Sequence, residues 1–218
     1  MKIAYGSDIH IEFEYYDIEN KENADVLVLA GDICVIEKFN YDSGKYFFDK
    51  CADEFEHVIY VPGNHEYYHG DLTYSFDKLK NLLAYRTNIH LMNNNFLDIG
   101  DVRFIGSTLW TNMNNYNPLT EQHVYFRMND FRLITRDGGY FIPERAEEEY
   151  DESIKFIEDN LNEDKINVVV THHAPSQQSI SEEYADDYHM NGAYRTDLEE
   201  SISQHGCICV WIHGHTHH

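Results

Sequence analysis

The chain has 218 residues, 42% hydrophobic and 25% charged, a composition ordinary for a soluble globular protein with a sizeable core. Its 16 Lys+Arg against 39 Asp+Glu leave a formal net charge of −23. Such a field repels polyanions, so it argues against non-specific binding to nucleic acid or to an anionic membrane surface.

MKIAYGS runs straight into a strand-like segment without the apolar region of a signal peptide, and no stretch approaches the ~20 apolar residues of a membrane span. The four cysteines, Cys34, Cys51, Cys207 and Cys209, suggest reduced thiols in a cytoplasmic protein rather than a disulfide framework. Cys207 and Cys209 lie in the apolar run CICVWI and read as buried core thiols in preference to a metal-binding pair. The length fits one domain spanning 1–218.

In chain order, β-branched apolar runs bounded by Gly, Pro or Asp predict buried strands at 2–6, 25–30, 57–61, 167–171 and 207–212. A hairpin over 94–107 turns at Gly100-Asp101. Helical spacing predicts a helix over 71–84, with Asp71 as N-cap and Leu72, Phe76, Leu79 and Leu83 on one face. A second covers 144–161, with Ala146, Tyr150, Ile154, Ile157 and Leu161 inward; a third, weaker one lies around 195–204. Strands alternating with helices give an α/β class with largely parallel pairing. The stretches 108–143 and 172–195 carry little periodicity and read as substrate-side loops or a cap.

Chemistry gathers after the strands. Asp8 and His10 follow the first, Asp32 the second, Asn64, His65 and Glu66 the third, His172 and His173 the fourth, and His215 and His217 the fifth. Ligand sites in open α/β sheets lie beyond the carboxyl ends of strands. Each piece alone has an ordinary reading as a turn, a surface pair or a hydrogen-bonded histidine. That reading would have to hold at the same place after five strands. In extended chain, residues i and i+2 point the same way, so Asp8/His10 and His215/His217 can each present two ligands to one centre. Gly31, Gly63 and Gly214 permit tight turns there. The donor set mixes carboxylate, amide and imidazole without thiolate, which suits Mn, Fe, Zn, Co or Ni better than Mg or Ca. Seven side chains are too many for one ion and suit two ions sharing a carboxylate.

The segments SDIHIEF, VLVLAGDI, VPGNHEYY, VVVTHHAPS and WIHGHTH, in this order across almost the whole chain, resemble the calcineurin-like metallophosphoesterase superfamily, in particular its small bacterial or phage members. The resemblance implies a four-layer αββα sandwich around a central β-sandwich. It implies that Asp8, His10, Asp32 and His217 hold one ion and that Asp32, Asn64, His172 and His215 hold the other, with Asp32 as bridge. The ions would be divalent transition metals, manganese foremost. His65 would be the general acid and Glu66 would orient it. The implied reaction is phosphate-ester hydrolysis, phosphodiesterase or phosphomonoesterase, by a hydroxide bridging ions ~3.5–4 Å apart. His173, Arg127 and Tyr67 are the candidate substrate contacts, with Arg132, Arg136 and Arg195 as further cations. The expected partner is a small phosphate ester, with no membrane and with nucleic acid disfavoured; oligomeric state is left open. The competing readings are a metal-binding scaffold on the same fold and a DNA nuclease of the same superfamily.

Two departures stand out. Many relatives carry a second acid three positions after the bridging Asp, where this chain has Val35. They also continue with further strands after Gly-His-x-His, whereas this chain stops at His218, itself read as incidental. Without those strands the second sheet would keep an open edge, which favours dimerisation or instability.

Overall fold

A computed structural model describes residues 1–41 and 43–217; His218 lies outside the described residues. The first sheet is built from β1 (Ile3–Gly6), β2 (Val26–Ala30), β3 (His57–Val61) and β4 (Ile89–Leu91), paired in that order and all parallel. The predicted hairpin forms as β5 (Asn95–Ile99) and β6 (Val102–Ser107), turning through Gly100 in the left-handed region at φ 58°. A two-stranded ribbon follows, β7 (Thr135–Arg136) with β8 (Gly139–Tyr140). β9 (Ile166–Thr171) and β10 (Ile208–Ile212) then join the hairpin in a second sheet of order β10-β9-β6-β5, parallel except at β5/β6.

Strand alternation divides the core into layers. Val26, Val28 and Ala30 of β2 and Ile59 and Val61 of β3 meet Phe104, Val168 and Val170 between the sheets. The intervening Leu27, Leu29, Val58 and Tyr60 face outward onto α1 (Gly44–Glu54) and α2 (Leu72–Leu83), through Phe47, Phe48, Cys51, Leu79 and Leu83. On the far face of the second sheet, Ile105 and Val169 pack against Ala146, Tyr150 and Ile157 of the helix Pro143–Asn160. Full burial of such a side chain contributes about 1.5–3 kcal/mol. The result is helix, sheet, sheet, helix, the expected four layers. Asp71 caps α2 as expected, its carboxylate accepting from Thr73 N.

Three expectations are revised. α1 was not anticipated, although Phe47, Phe48, Cys51 and Ala52 make a helical stripe. The stretches 108–143 and 172–195 are not simply loops: they contain the helices Pro118–Arg127, Asp130–Leu133 and Tyr188–Tyr194. Pro118–Arg127 buries only Thr120 and Val124, too few positions to show a period, and is instead started by Pro118 and the Asn117 cap. Finally, Cys207 is half-buried and Cys209 exposed, because β10 ends the order of its sheet and turns part of its surface to solvent. Among the described residues no helix is long and apolar enough to cross a membrane.

Candidate metal centre

The loops after β1, β2, β3, β9 and β10 meet at one end of the sandwich. The first two are zipped together: Asp8 N donates to Gly31 O at 3.0 Å, His10 N to Asp32 O at 3.0 Å and Ile11 N to Ile33 O at 2.9 Å. Asp8 (φ 53°), His10 (φ 49°), Asp32 (φ 54°), His215 (φ 70°) and His217 (φ 55°) all lie in the left-handed region. The expected reason for pairing Asp8 with His10 and His215 with His217 is therefore corrected. These residues follow the strand ends, and turns rather than extended alternation bring each pair to one centre. Gly31, at φ 86°, and Gly63 serve a second need: a Cβ at either would collide with His172, and at Gly63 also with the Asp32 carboxylate.

Three overlapping groups of donor atoms result, one of them His10, Asp32 and His65. Asp8, His10 and His217 bring ligand atoms within 4.8 Å of one another, and so do Asp32, His172 and His215. Asp32 sits between them, with Oδ2 3.8 Å from His10 Nε2 and Oδ1 3.3 Å from His172 Nε2. Asn64 Oδ1 lies 3.0 Å and His215 Nδ1 3.1 Å from the same His172 nitrogen. His172 Nδ1 donates to Ala30 O at 2.9 Å, so in the neutral ring Nε2 carries a lone pair. That lone pair points at two oxygens and a second imidazole, an arrangement that needs a cation or an extra proton.

The electrostatics repeat this. Burial would lower the pKa of His172, but Asp32 beside it pushes it up to about 10. Burial would raise that of Asp32, but His172, His65 and His215 hold it well below the usual carboxylate range. His215 is pushed well down by burial and by His173 and His172, and its Nε2 is buried without a partner among the described residues. The residues present fit divalent cations.

Around the donors lies a shell of supporting bonds. Asn64 Nδ2 donates to Asp130 Oδ1 at 2.9 Å, and Tyr68 Oη donates to the same oxygen at 2.8 Å. His65 N donates to Asp32 Oδ1 at 2.9 Å, its ring stacks on Tyr68 with centroids 4.2 Å apart, and its Nδ1 lies 3.1 Å from Glu12 Oε1. Burial lowers the His65 pKa, but the bond to Glu12 and the charge of Asp32 outweigh it, so the net shift is upward. Glu12 is buried, which raises its pKa, yet its bonds to His10 and His65 bring it down to about 2.

The expected role of Glu66 is corrected. Its carboxylate accepts from the backbone of Asp32 (3.0 Å), Ile33 (2.7 Å) and Gly63 (2.7 Å) and from Tyr60 Oη (2.6 Å). It ties the Asp32 loop to the Gly63 loop and does not touch His65; Glu12 does. Tyr67 is likewise no substrate contact: it is 1% exposed in the core and packs near Trp110. His173 is buried, its Nδ1 donates to Thr108 O at 3.1 Å, and burial pushes its pKa down to about 3. It braces the His172 and His215 rings from behind. Glu12 and Asp130 are the site residues that the sequence reading missed, whereas Tyr68, read together with Tyr67 as a possible pocket residue, does line the cavity. Glu12 alone left a signal, standing two positions after His10 as His10 stands after Asp8.

A cavity of about 640 Å³ opens over Asp32, Asn64, His65, His215 and His217. Its walls come from both aperiodic stretches and include Arg127, Met128, Tyr184, Asp187, Met190 and Tyr194. Among the described residues Arg127 has no hydrogen-bond or ion-pair partner. Arg132 instead donates to Phe126 O, Arg136 pairs with Glu148 and Glu149, and Arg195 is buried.

An uncharacterized protein, L509, from Acanthamoeba polyphaga mimivirus is 33% identical over 245 aligned residues, covering 99% of this chain and 84% of the relative. The crystal structure of phosphopantetheinyl hydrolase from Mycobacterium tuberculosis superposes with a TM-score of 0.74 at 15% identity, covering 99% of this chain and 83% of that one. The calcineurin-like phosphoesterase family model matches residues 1–218. The chain therefore belongs to the calcineurin-like phosphoesterase family, and it is a phosphate-ester hydrolase of that family.

Proposed function

We propose that the protein hydrolyses a small phosphate ester at a two-ion centre, with manganese as the favoured metal. The observation that carries this reading is the position of Asp32: its two oxygens face two separate donor groups, Asp8/His10/His217 and Asn64/His172/His215. Bound there, divalent ions supply Lewis-acid stabilisation of the phosphoryl oxygens and activate water.

The chain's own residues do the rest. Asp32, fixed from below by the bonds from its own backbone and its neighbours to Glu66, keeps the two donor groups in register. His65 stands at the cavity with one ring nitrogen tied to Glu12, leaving the other to give a proton to the leaving oxygen. Arg127, at the cavity wall and unpaired among the described residues, is the residue for an anionic group beyond the scissile phosphate. The −23 net charge and the absence of a basic stripe favour a compact substrate over nucleic acid, and the thiols without disulfides fit a cytoplasmic setting.

The test is Mn-dependent hydrolysis of p-nitrophenyl phosphate and bis-p-nitrophenyl phosphate by wild type, Asn64→Ala and His65→Ala. Both variants are expected to lose activity, His65→Ala by about 10²–10⁴-fold. The ratio of the two substrates separates monoesterase from diesterase. Metal binding without hydrolysis of any ester would leave only a scaffold, and no metal binding would reject the centre.

A further inference from the structure

We propose that Glu12 is a positioning residue shared by the metal centre and the proton donor: through one oxygen it sets the tautomers of His10 and His65 together. Glu12 Oε1 lies 3.2 Å from His10 Nδ1 and 3.1 Å from His65 Nδ1. Its side chain is only 2% exposed, and among the described residues Oε2 is buried without a partner, so the two imidazoles are the side-chain donors to this carboxylate. A carboxylate only accepts, so both Nδ1 atoms must carry hydrogen. For His10 that leaves Nε2 with the lone pair, the form a ligand needs, on the side of Asp32 Oδ2. For His65 it leaves Nε2 as the end of the ring from which a proton is delivered. The rings stand edge to face, with centroids 4.4 Å apart and planes at 69°.

Among the described residues no other carboxylate does this. Glu66 is occupied by backbone N–H groups and Tyr60. Position 35, where an acid was expected from the resemblance, is Val35, buried in the apolar cluster with Tyr67 and Tyr68. The acid behind His65 therefore comes from the β1 loop and carries a metal-ligand histidine on the same atom. The assignment rests on the roles proposed for His10 and His65, but its first test does not depend on turnover.

That test is ¹⁵N NMR of the imidazoles in the metal-free protein, wild type against Glu12→Ala and Glu12→Gln. In the wild type both His10 and His65 are expected as Nδ1–H. In Glu12→Ala both shift towards the Nε2–H form preferred by free histidine. Glu12→Gln, whose amide oxygen still has two lone pairs to offer both rings, should keep both Nδ1–H forms and serves as the control; Glu12→Leu, which removes the acceptor at similar size, decides the matter if the alanine form does not fold. Calorimetric titration with Mn is expected to show one of two sites weakened about 10–100-fold in Glu12→Ala. With turnover, the loss should be greater for phenyl phosphate than for p-nitrophenyl phosphate, because a poor leaving group needs the proton more. Unchanged tautomers and metal affinity in folded Glu12→Ala or Glu12→Leu would overturn the proposal. A wild type inactive on every ester would overturn the functional reading instead, and the tautomers would still judge Glu12.

Discussion

Asp130 turns the amide of Asn64 towards the metal centre. Asn64 Nδ2 is held on Asp130 Oδ1 at 2.9 Å, and this leaves Asn64 Oδ1 3.0 Å from His172 Nε2. An amide presents an oxygen or a nitrogen with nearly the same shape, so its orientation must be fixed from outside. Asp130 supplies that fixing while touching none of the proposed ligands other than Asn64.

Asp130→Ala is therefore expected to weaken Mn binding and lower activity by about 10–100-fold without unfolding the protein. Calorimetry with circular dichroism checks it. Wild-type affinity in Asp130→Ala would mean that Asn64 holds its orientation unaided.

Cation removal should destabilise the fold. The convergence of His172, His215, Asn64 and Asp32 is unfavourable without positive charge, so ions bind the native state in preference to the unfolded one. At free metal 100-fold above Kd, each ion contributes about 2.7 kcal/mol. The melting temperature should fall with a chelator and recover with Mn, and Asp32→Ala should abolish the response.

Glu147 gives a pH prediction away from the centre. It is 7% exposed on the helix Pro143–Asn160, and Oε1 has no partner among the described residues. Burial, then the neighbouring Glu121, Glu144 and Asp151, push its pKa up from 4.5 to about 7. A raised pKa favours the protonated form in the native state. Its stabilising contribution is present below 4.5 and is lost as pH rises through about 7. Glu147→Gln should raise the melting temperature at pH 8 by roughly 2–4 °C and leave it unchanged at the acid end of that window. Thermal scans across pH would show the two curves converging.

Arg127→Ala tests the substrate reading. A charged hydrogen bond contributes about 1.5–3 kcal/mol, so kcat/KM should fall roughly 10–100-fold for an ester bearing a second anionic group. p-Nitrophenyl phosphate, which lacks such a group, should be unaffected. Equal losses on both would place Arg127 in the structure of the cavity wall rather than in recognition.

The strands and the donor residues were legible because both are local. VLVLA and HVIYV can only be buried β-strands in a chain of this kind, and a turn after each must end on whatever residue comes next. Asp8, Asp32, Asn64 and His215 stand at those ends. Asp130 was not legible, because its role exists only once a short helix in an aperiodic stretch is folded against a loop 66 positions earlier. Glu66 misled for the opposite reason. Its adjacency to His65 in sequence suggested contact, yet its carboxylate is drawn to unpaired backbone N–H groups beneath Asp32. Tyr67 and Tyr68 divide in the same way, one into the core and the other onto His65.

The left-handed turns at Asp8, His10, Asp32, His215 and His217 limit how such a centre can be rebuilt elsewhere. Each non-glycine residue there costs about 1–2 kcal/mol of backbone energy, with Asn and Asp the most tolerant. Donor atoms alone do not describe the centre. A scaffold offering the same side chains from extended strands would aim them along different vectors. Transplantation has to carry the torsions with the ligands, and a library varying these positions would lose β-branched residues for reasons of conformation before any question of chemistry arose.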